Sequence, residues 1–297
     1  MSEKSTRCGY VAIVGRPNAG KSTLLNALLN QDLAIVTHKA QTTRNRIQGI
    51  LTTEHAQIIF LDTPGILEPK YELQNFMLSE IKTSLRDADI VLYVVDSSKF
   101  NPEEFKKSEK ILQSDFSKGK IVIVLNKIDL KTEEDIKRNI ETLKNVLPEA
   151  EVIPMSALEK FNIESITEKI FLHLPVSDFL YQEDEITDKP EKFFASEIIR
   201  QKVLQLYGEE IPYSVFIDIR EFKERENGKD FINADIVVER ESQKIIIIGK
   251  RGEKIKSLGE EARKEIEKFL DRPVFLKLFV KIRKDWRKDK TFLKSNF

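Results

Sequence analysis

The sequence holds too little cysteine and histidine to staple a small secreted scaffold or build a structural metal cluster. Its 297 residues include one cysteine, Cys8, which excludes an intramolecular disulfide framework. One cysteine with three histidines is also too few ligands for a zinc cluster. No apolar run approaches the ~18 residues needed to span a bilayer. Met1–Arg7 leads into no apolar stretch ending at a small-residue cleavage site, so no secretory leader is expected. Wholesale disorder is excluded as well, because 40% of residues are apolar against 33% charged. The expectation is a soluble cytoplasmic chain of about two domains, at roughly 100–200 residues each.

Charge is balanced overall, with 49 Lys and Arg against 49 Asp and Glu, but unevenly placed. Residues 250–297 carry 16 bases against 8 acids, and the remainder carries 33 against 41. Such a split points to one end that meets a polyanion, or to a merely solvated basic surface.

In the first half, short branched runs alternate with amphipathic stretches. Tyr10–Val14, Ile47–Leu51, Ile58–Leu61, Ile90–Val95, Ile121–Leu125 and Glu151–Ile153 are predicted strands. Lys21–Leu29, Leu73–Arg86, Pro102–Gln113, Glu133–Val146 and Ile163–Leu172 are predicted helices. This alternation predicts an α/β domain over residues 1–175, with a mostly parallel sheet covered by helices on both faces. Leu174–Pro190, rich in acidic residues and flanked by prolines, predicts a linker at about 176–190. Residues 191–297 then read as a smaller α+β domain. Its predicted elements are a helix Lys192–Leu206, strands Tyr213–Phe222 and Phe231–Glu239 about an Asn227-Gly228 turn, a helix Glu253–Leu270 and a strand Val274–Ile282. Ile245–Ile248 is open between strand and helix.

Gly15-Arg16-Pro17-Asn18-Ala19-Gly20-Lys21-Ser22 fits G-x-x-x-x-G-K-[ST] between a predicted strand and a predicted helix. The backbone N–H groups of such a loop close around phosphate oxygens, and Thr23 continues the helix start. Lys21 would reach the β- and γ-phosphates, and Ser22 would ligate Mg²⁺. Asp62-Thr63-Pro64-Gly65 ends the strand Ile58–Leu61, where a carboxylate can hold the Mg²⁺ shell and Gly65 can bring its N–H to a γ-phosphate. Asn126-Lys127-Ile128-Asp129 follows another strand. The Asp129 carboxylate can accept from guanine N1–H and N2–H₂, which adenine does not offer. Asn126 would brace the purine or the P-loop, and the Lys127 stem would cover the base. Ser156-Ala157-Leu158 can present the Ala157 amide to guanine O6.

In this order the motifs resemble the G1 to G5 boxes of a Ras-like GTPase of the translation-factor class, over residues 8–173. The resemblance implies that Thr43, beside Thr42, is the switch I threonine that ligates Mg²⁺ with Ser22 and Asp62. Lys21, Asn18, Thr43 and Gly65 become the candidate catalytic residues, and GTP, GDP and Mg²⁺ the ligands. Ras-like proteins carry a glutamine after the G3 glycine; Ile66 stands here and cannot position water. Asn18 has two readings, a turn residue after Pro17 and, by resemblance, a residue that helps bind K⁺ where an arginine finger would lie.

Near the basic end, Gly249-Lys250-Arg251-Gly252 precedes the predicted amphipathic helix Glu253–Leu270, with Lys254 in its first turn. G-x-x-G lets a backbone approach phosphates, although without context a plain turn into a helix is the better reading. The context resembles a type II KH domain over roughly residues 190–285, a module that clamps single-stranded RNA. A G domain followed by a KH domain in about 300 residues resembles the Era-type GTPases. That resemblance implies binding near the 3′ end of 16S rRNA and assistance to 30S ribosomal subunit assembly; the expected mechanism is GTP-dependent ordering of the switches that governs the RNA grip. No heptad or extended apolar edge indicates a dimer, so a monomer is expected. The tail Lys281–Lys294 interleaves bases with Trp286 and Phe292; it could stack on bases, lie on an anionic inner-membrane surface, or be a solvated end. Three other readings stay open: a nucleotide kinase or ATPase, which leaves the NKID and SAL motifs unexplained; a DNA-binding regulator; and a membrane-associated regulatory GTPase in cell-cycle control, with RNA binding secondary.

Overall fold

The computed structural model describes residues 6–37, 39, 41–116, 119–226 and 228–297. Six runs of the first half form one sheet: β1 (Arg7–Gly15), β2 (Ile47–Thr52), β3 (Ala56–Asp62), β4 (Ile90–Asp96), β5 (Lys120–Asn126) and β6 (Glu151–Pro154). Their order is β2-β3-β1-β4-β5-β6, and every neighbouring pair is parallel except β2 with β3. A parallel sheet is covered on both faces, so its central strands bury nearly every residue, as Val11, Ala12, Ile13 and Val14 do. The covering helices are α1 (Lys21–Leu29), α2 (Glu72–Asp87), α3 (Pro102–Asp115), α4 (Glu133–Val146) and α5 (Ile163–His173). Asn101 caps α3 by accepting from the Glu103 and Glu104 amides, with Pro102 in the first turn, and Thr132 caps α4. α1, by contrast, has Gly20 as its N-cap and no side-chain cap, and α5 too has no side-chain cap, at Asn162. The first-turn N–H groups of α1 are left for something other than a side chain.

The parallel register gathers the motif-bearing strand ends on one rim. Asp62 stands opposite Ile13, Gly15 opposite Val94, Asp96 opposite Asn126 and Leu125 opposite Pro154. Ligands bind at this rim in doubly wound sheets.

The chain divides into two compact units: one ends at Asp188, and the other comprises Lys189–Phe297 with Tyr71–Leu73. The segment expected as a linker lies, up to Thr187, along the edge of the first sheet. Gln57 Oε1 accepts from the Leu180 and Tyr181 amides at 2.8 and 2.9 Å, and its Nε2 donates to Tyr181 O. The Ile50 amide donates to Ile186 O at 2.9 Å, and Thr187 Oγ1 to Gln48 O at 2.7 Å. These bonds satisfy backbone groups that an irregular segment otherwise leaves to water.

The second unit contains α6 (Glu191–Leu206), β7 (Phe216–Lys223), β8 (Asp230–Val238), α7 (Glu241–Ile248), α8 (Glu253–Leu270), β9 (Val274–Ile282) and α9 (Lys290–Asn296). β8 is central, antiparallel to β7 and parallel to β9. Its core joins Ile199 and Val203 of α6 with Ile232, Ala234 and Ile236 of β8 and Leu258, Ala262 and Ile266 of α8. Three expectations are corrected or resolved here. The strand predicted from Tyr213 begins at Phe216, because Ile211–Tyr213 forms a 3₁₀ turn closed by the Ser214 hydroxyl on Ile211 O. Ile245–Ile248 is the second half of α7, which starts where Gln243 Oε1 accepts from the Glu239 and Arg240 amides. The tail keeps most of its cations exposed, but it is not an exposed ring surface. Trp286 is fully buried and donates from Nε1 to Ser214 O at 3.0 Å, and its ring packs with Phe216, Phe292 and Phe297. Burying a tryptophan removes a large apolar area from water, which outweighs leaving this short basic end free. Asn227 of the expected turn lies outside the described residues. No helix among the described residues is long and apolar enough to cross a membrane.

Candidate functional site

Three oxygen-bearing side chains from three separated segments meet beside the P-loop. Ser22 Oγ lies 2.8 Å from Asp62 Oδ2 and 3.0 Å from Thr43 Oγ1, and Thr43 Oγ1 is 3.2 Å from the same carboxylate oxygen. Asp62 Oδ1 is buried with no hydrogen-bond partner. Burial pushes the Asp62 carboxyl up to about 6, against the opposing pull of Lys21 and of the two hydroxyls. Lys21 is buried too, and burial brings its ammonium down to about 8, partly opposed by Asp62. Its Nζ donates to Arg16 O at 3.1 Å. A buried carboxylate with a spare oxygen and two hydroxyls is a hard-oxygen donor set that fits Mg²⁺. A buried lysine beside an uncapped helix start fits phosphate oxygens. Thr42 is turned elsewhere, with its hydroxyl on Thr37 Oγ1 at 2.8 Å and on Lys39 O at 2.7 Å.

A cleft of about 410 Å³ opens over this cluster, bordered by the P-loop from Pro17 to Thr23, by Thr43 and Gly65, and by Asn126, Lys127, Asp129, Ala157 and Leu158. Gly65 lies directly against the P-loop. A Cβ there would stand 2.6 Å from Pro17 N and 2.7 Å from its Cα, so only glycine permits this approach. Asp129 and Leu158 are exposed at the far end. Asn126 joins three motifs: its Nδ2 donates to Ala19 O at 2.9 Å, and its Oδ1 accepts from the Lys127 amide at 2.8 Å and the Ala157 amide at 2.9 Å. The Ala157 amide, expected to face a guanine O6, is therefore directed to Asn126 in this structure, because a buried N–H takes an available acceptor.

The remaining predicted residues support the rim from behind. Thr63 is buried with its hydroxyl on Ile13 O at 2.8 Å, and Gly15 O accepts from the Ile66 amide at 3.0 Å. Pro64 is buried between them, and the Ser156 hydroxyl accepts from the Glu159 amide. Arg16 pairs with Glu104 and, with Ala19, borders a separate cavity of about 210 Å³. Ile66 is buried in the core with Ala12 and Val14, so its side chain takes no part in the cleft.

Sequence reasoning missed Asp96. The Lys127 ammonium donates to Asp96 Oδ2 at 2.6 Å and to Asn18 O at 2.7 Å. Although burial pulls the Asp96 carboxyl upward, hydrogen bonds from Lys127 and Ser98 outweigh it and hold the group below its usual range. The only signal in the sequence was an aspartate ending a strand before Ser97-Ser98, which reads as a turn cap.

In the second unit, Gly249, Arg251 and Gly252 have φ of 71°, 52° and 79°, which turns the chain sharply between α7 and α8. Lys250, Arg251 and Lys254 are exposed, and the Lys254 stem lies over Gly249, where a Cβ would stand 2.6 Å from its Cγ. Gly252, the N-cap of α8, brings no side-chain cap. The turn therefore presents cations and uncapped amides on one surface.

Comparison with known proteins agrees with this geometry. A family model described as 50S ribosome-binding GTPase matches residues 10–127, and a KH domain model matches residues 210–287. GTPase Era of Clostridium botulinum (strain Eklund 17B / Type B) is 41% identical over 291 residues, covering 97% of each chain. GTPase Era of Thermoanaerobacter sp. (strain X514) is 43% identical over 292 residues, covering 97% of this chain and 95% of its own. A crystal structure of Era in complex with MgGDPNP and nucleotides 1506–1542 of 16S ribosomal RNA is 39% identical, covers 98% of both chains and has a TM-score of 0.93. A crystal structure of a single-residue variant of Aquifex aeolicus Era bound to GDP and AlF4⁻ is also 39% identical, with a TM-score of 0.93 over 98% of this chain and 99% of that one.

Proposed function

Because the chain belongs to the GTPase Era family, we propose that it is a GTP-driven switch that grips the 3′ region of 16S rRNA and assists assembly of the 30S subunit. Its first unit is a P-loop GTPase domain and its second contains a KH domain. The observation that carries the RNA reading is the relative crystallised with both MgGDPNP and nucleotides 1506–1542, which matches 98% of this chain.

Ser22, Thr43 and Asp62 would hold Mg²⁺, which when bound neutralises charge between the β- and γ-phosphates. Lys21 and the open amides of α1 would neutralise the phosphate chain, and Gly65 would bring its N–H to the γ-phosphate. Asp129 would select guanine, with Asn126 and Lys127 as the frame. Ile66 is committed to the core, so hydrolysis by water draws its charge stabilisation from the P-loop side. Asn18, at the tip of that loop, would help hold K⁺ there; turnover in K⁺ exceeding that in Na⁺ would support this role, and equal rates would remove it. Loss of the γ-phosphate would release Thr43 and Gly65, and with them the RNA grip of Gly249, Lys250, Arg251, Gly252 and Lys254. A role on the small subunit would put the chain in the cytoplasm, where it would act as a monomer. The alternative, contact of the basic tail with an anionic membrane, would rest on the tail's lysines and arginines alone, because the Trp286 ring is packed in the second unit.

One experiment tests both halves. Asp129→Asn should exchange GTP preference for XTP preference and leave binding of a 16S 3′-end oligonucleotide intact. Lys250→Ala with Arg251→Ala should weaken that RNA and leave GTP affinity unchanged. Unchanged GTP preference in the first variant, or unchanged RNA affinity in the second, contradicts the corresponding assignment.

A further inference from the structure

The three-stranded sheet of the second unit packs one face against α6 and α8, and its other face is only partly covered. Ile232, Ala234, Ile236, Val274 and Val280 point into the core with α6 and α8. Strand alternation therefore sends Phe275, Lys277, Phe279 and Lys281 of β9 to the opposite face. All four are exposed, the two rings at 49% and 46%. Phe231, the register partner of Phe275 in β8, stacks on it with centroids 6.0 Å apart and planes 14° from parallel. Each end of this row carries a cation over a ring: Arg225 lies 5.8 Å from the Phe231 centroid, and Lys281 lies 6.0 Å from that of Phe279. At the other corner of the same face, Phe216 is covered by Trp286, Phe292 and Phe297, so the open part is limited to the β8–β9 side.

Isolated exposed rings are ordinary, and lysines on an edge strand protect it from pairing with another strand. Three rings in a row, with Lys277 between two of them and a cation at each end, are a more specific pattern. Phe275 and Phe279 are four residues apart, or ~13 Å along a strand, with Lys277 midway. The three carboxylates on this face are engaged by two cations, Arg220 bridging Asp218 and Asp235 and Lys223 pairing with Glu221, which leaves one negative charge over. Among the described residues, Lys277, Lys281 and Arg225 make no ion pair, so the row is net positive. Ring faces alternating with positive charge complement a polyanion with flat, unpaired bases, which describes single-stranded nucleic acid better than an apolar protein surface. α7, which leads into the Gly249–Gly252 turn, packs against the core side of β9, and β9 is an edge strand, so a strand of RNA would pass from the turn to the outer face around that edge.

We propose that the outer face of β9, with Phe231, is a second RNA-contact platform. Phe231–Phe275 and Phe279 stack unpaired bases, and Lys277 and Lys281 meet the intervening phosphates. The proposal rests on the reading of Gly249–Gly252 as an RNA clamp and extends the path of the same strand beyond it.

The test is anisotropy of the full chain with labelled single-stranded RNA of about 4 nucleotides, the span of a KH clamp, and of about 12 nucleotides. Phe275→Ala with Phe279→Ala should weaken the longer RNA about tenfold or more and leave the shorter one and GTP binding unchanged. Phe275→Tyr with Phe279→Tyr should keep the affinity, since the ring face is retained. Lys277→Ala with Lys281→Ala should reduce the salt slope for the longer RNA by about 1.4, two phosphate contacts at ~0.7 each. Unchanged long-RNA affinity and slope in these variants overturn the platform while the clamp stands. A phenylalanine variant that leaves RNA binding intact but abolishes concentration-dependent self-association also overturns it, and makes the face a protein interface. If Lys250→Ala with Arg251→Ala leaves the short RNA unaffected, the clamp reading itself has failed.

Discussion

Replacing Asp96 with asparagine should weaken binding of GDP and GTP about equally, although Asp96 does not border the cleft assigned to the nucleotide. Its Oδ1 accepts from Ser98 N at 2.9 Å and from Ser98 Oγ at 2.6 Å, which caps the turn after β4; its Oδ2 accepts from Lys127 Nζ at 2.6 Å. Asparagine can keep the first two bonds with its carbonyl, but it turns an NH₂ toward the ammonium. A hydrogen bond to a charged group contributes about 1.5–3 kcal/mol. The Lys127 side chain is 31% exposed and that of Asp96 13%, so screening favours the lower figure. About 1.5 kcal/mol corresponds to roughly tenfold in affinity. Lys127 sits at the base end of the cleft and not at the γ-phosphate, so the loss should appear in KM with kcat nearly unchanged. Stopped-flow displacement of a fluorescent guanine nucleotide gives the affinities, and phosphate release gives kcat and KM. Combining Asp96→Asn with Lys127→Met separates positioning from simple destabilisation. If Asp96 acts through the lysine, the double variant should bind no worse than Lys127→Met alone. Additive losses, or a fall in kcat with KM unchanged, refute the reasoning.

Two further outcomes follow from the same rim. Gly65→Ala forces a Cβ to within 2.6 Å of the Pro17 backbone, so switch II or the P-loop must shift; kcat should fall about 100-fold while GDP affinity changes less than about threefold, and a kcat near wild type would show that the close approach is dispensable. In nucleotide- and metal-free protein, the Asp62 carboxyl is raised by burial from 3.8 to about 6, so its contribution to stability is fully present below 3.8 and lost as pH rises through about 6. Lowering pH from about 7.5 to about 5 should then stabilise the wild type, relative to Asp62→Asn, by about 1.4 kcal/mol or roughly 3 °C in Tm; a difference between the two melting curves that does not move with pH would contradict a buried, destabilised carboxylate.

How far the sequence announces these features depends on whether a residue acts within its own segment. Gly15–Ser22 is legible because glycine spacing, strand and helix start lie within a few consecutive residues, and Asp129 because carboxylate chemistry singles out guanine. Asp96 and Gln57 are not legible. Each looks locally ordinary, a turn cap and a polar residue in an edge-like strand, and acquires its role from a partner 31 or more than 120 residues away. Trp286 shows the same limit from the other side. Its basic neighbours indicate an exposed ring, yet Ser214 O and Phe216, about 70 positions earlier, supply the acceptor and the surface that bury it. The strand misplaced at Tyr213 follows from the same contact, because the 3₁₀ turn before β7 presents Ser214 O to the indole. The tail and that turn thus stabilise each other, and Trp286→Ala should loosen the start of β7 as well as the C-terminal helix. Faster amide exchange at Val215–Ile217 together with residues 290–296 would show this coupling, and exchange confined to the tail would deny it.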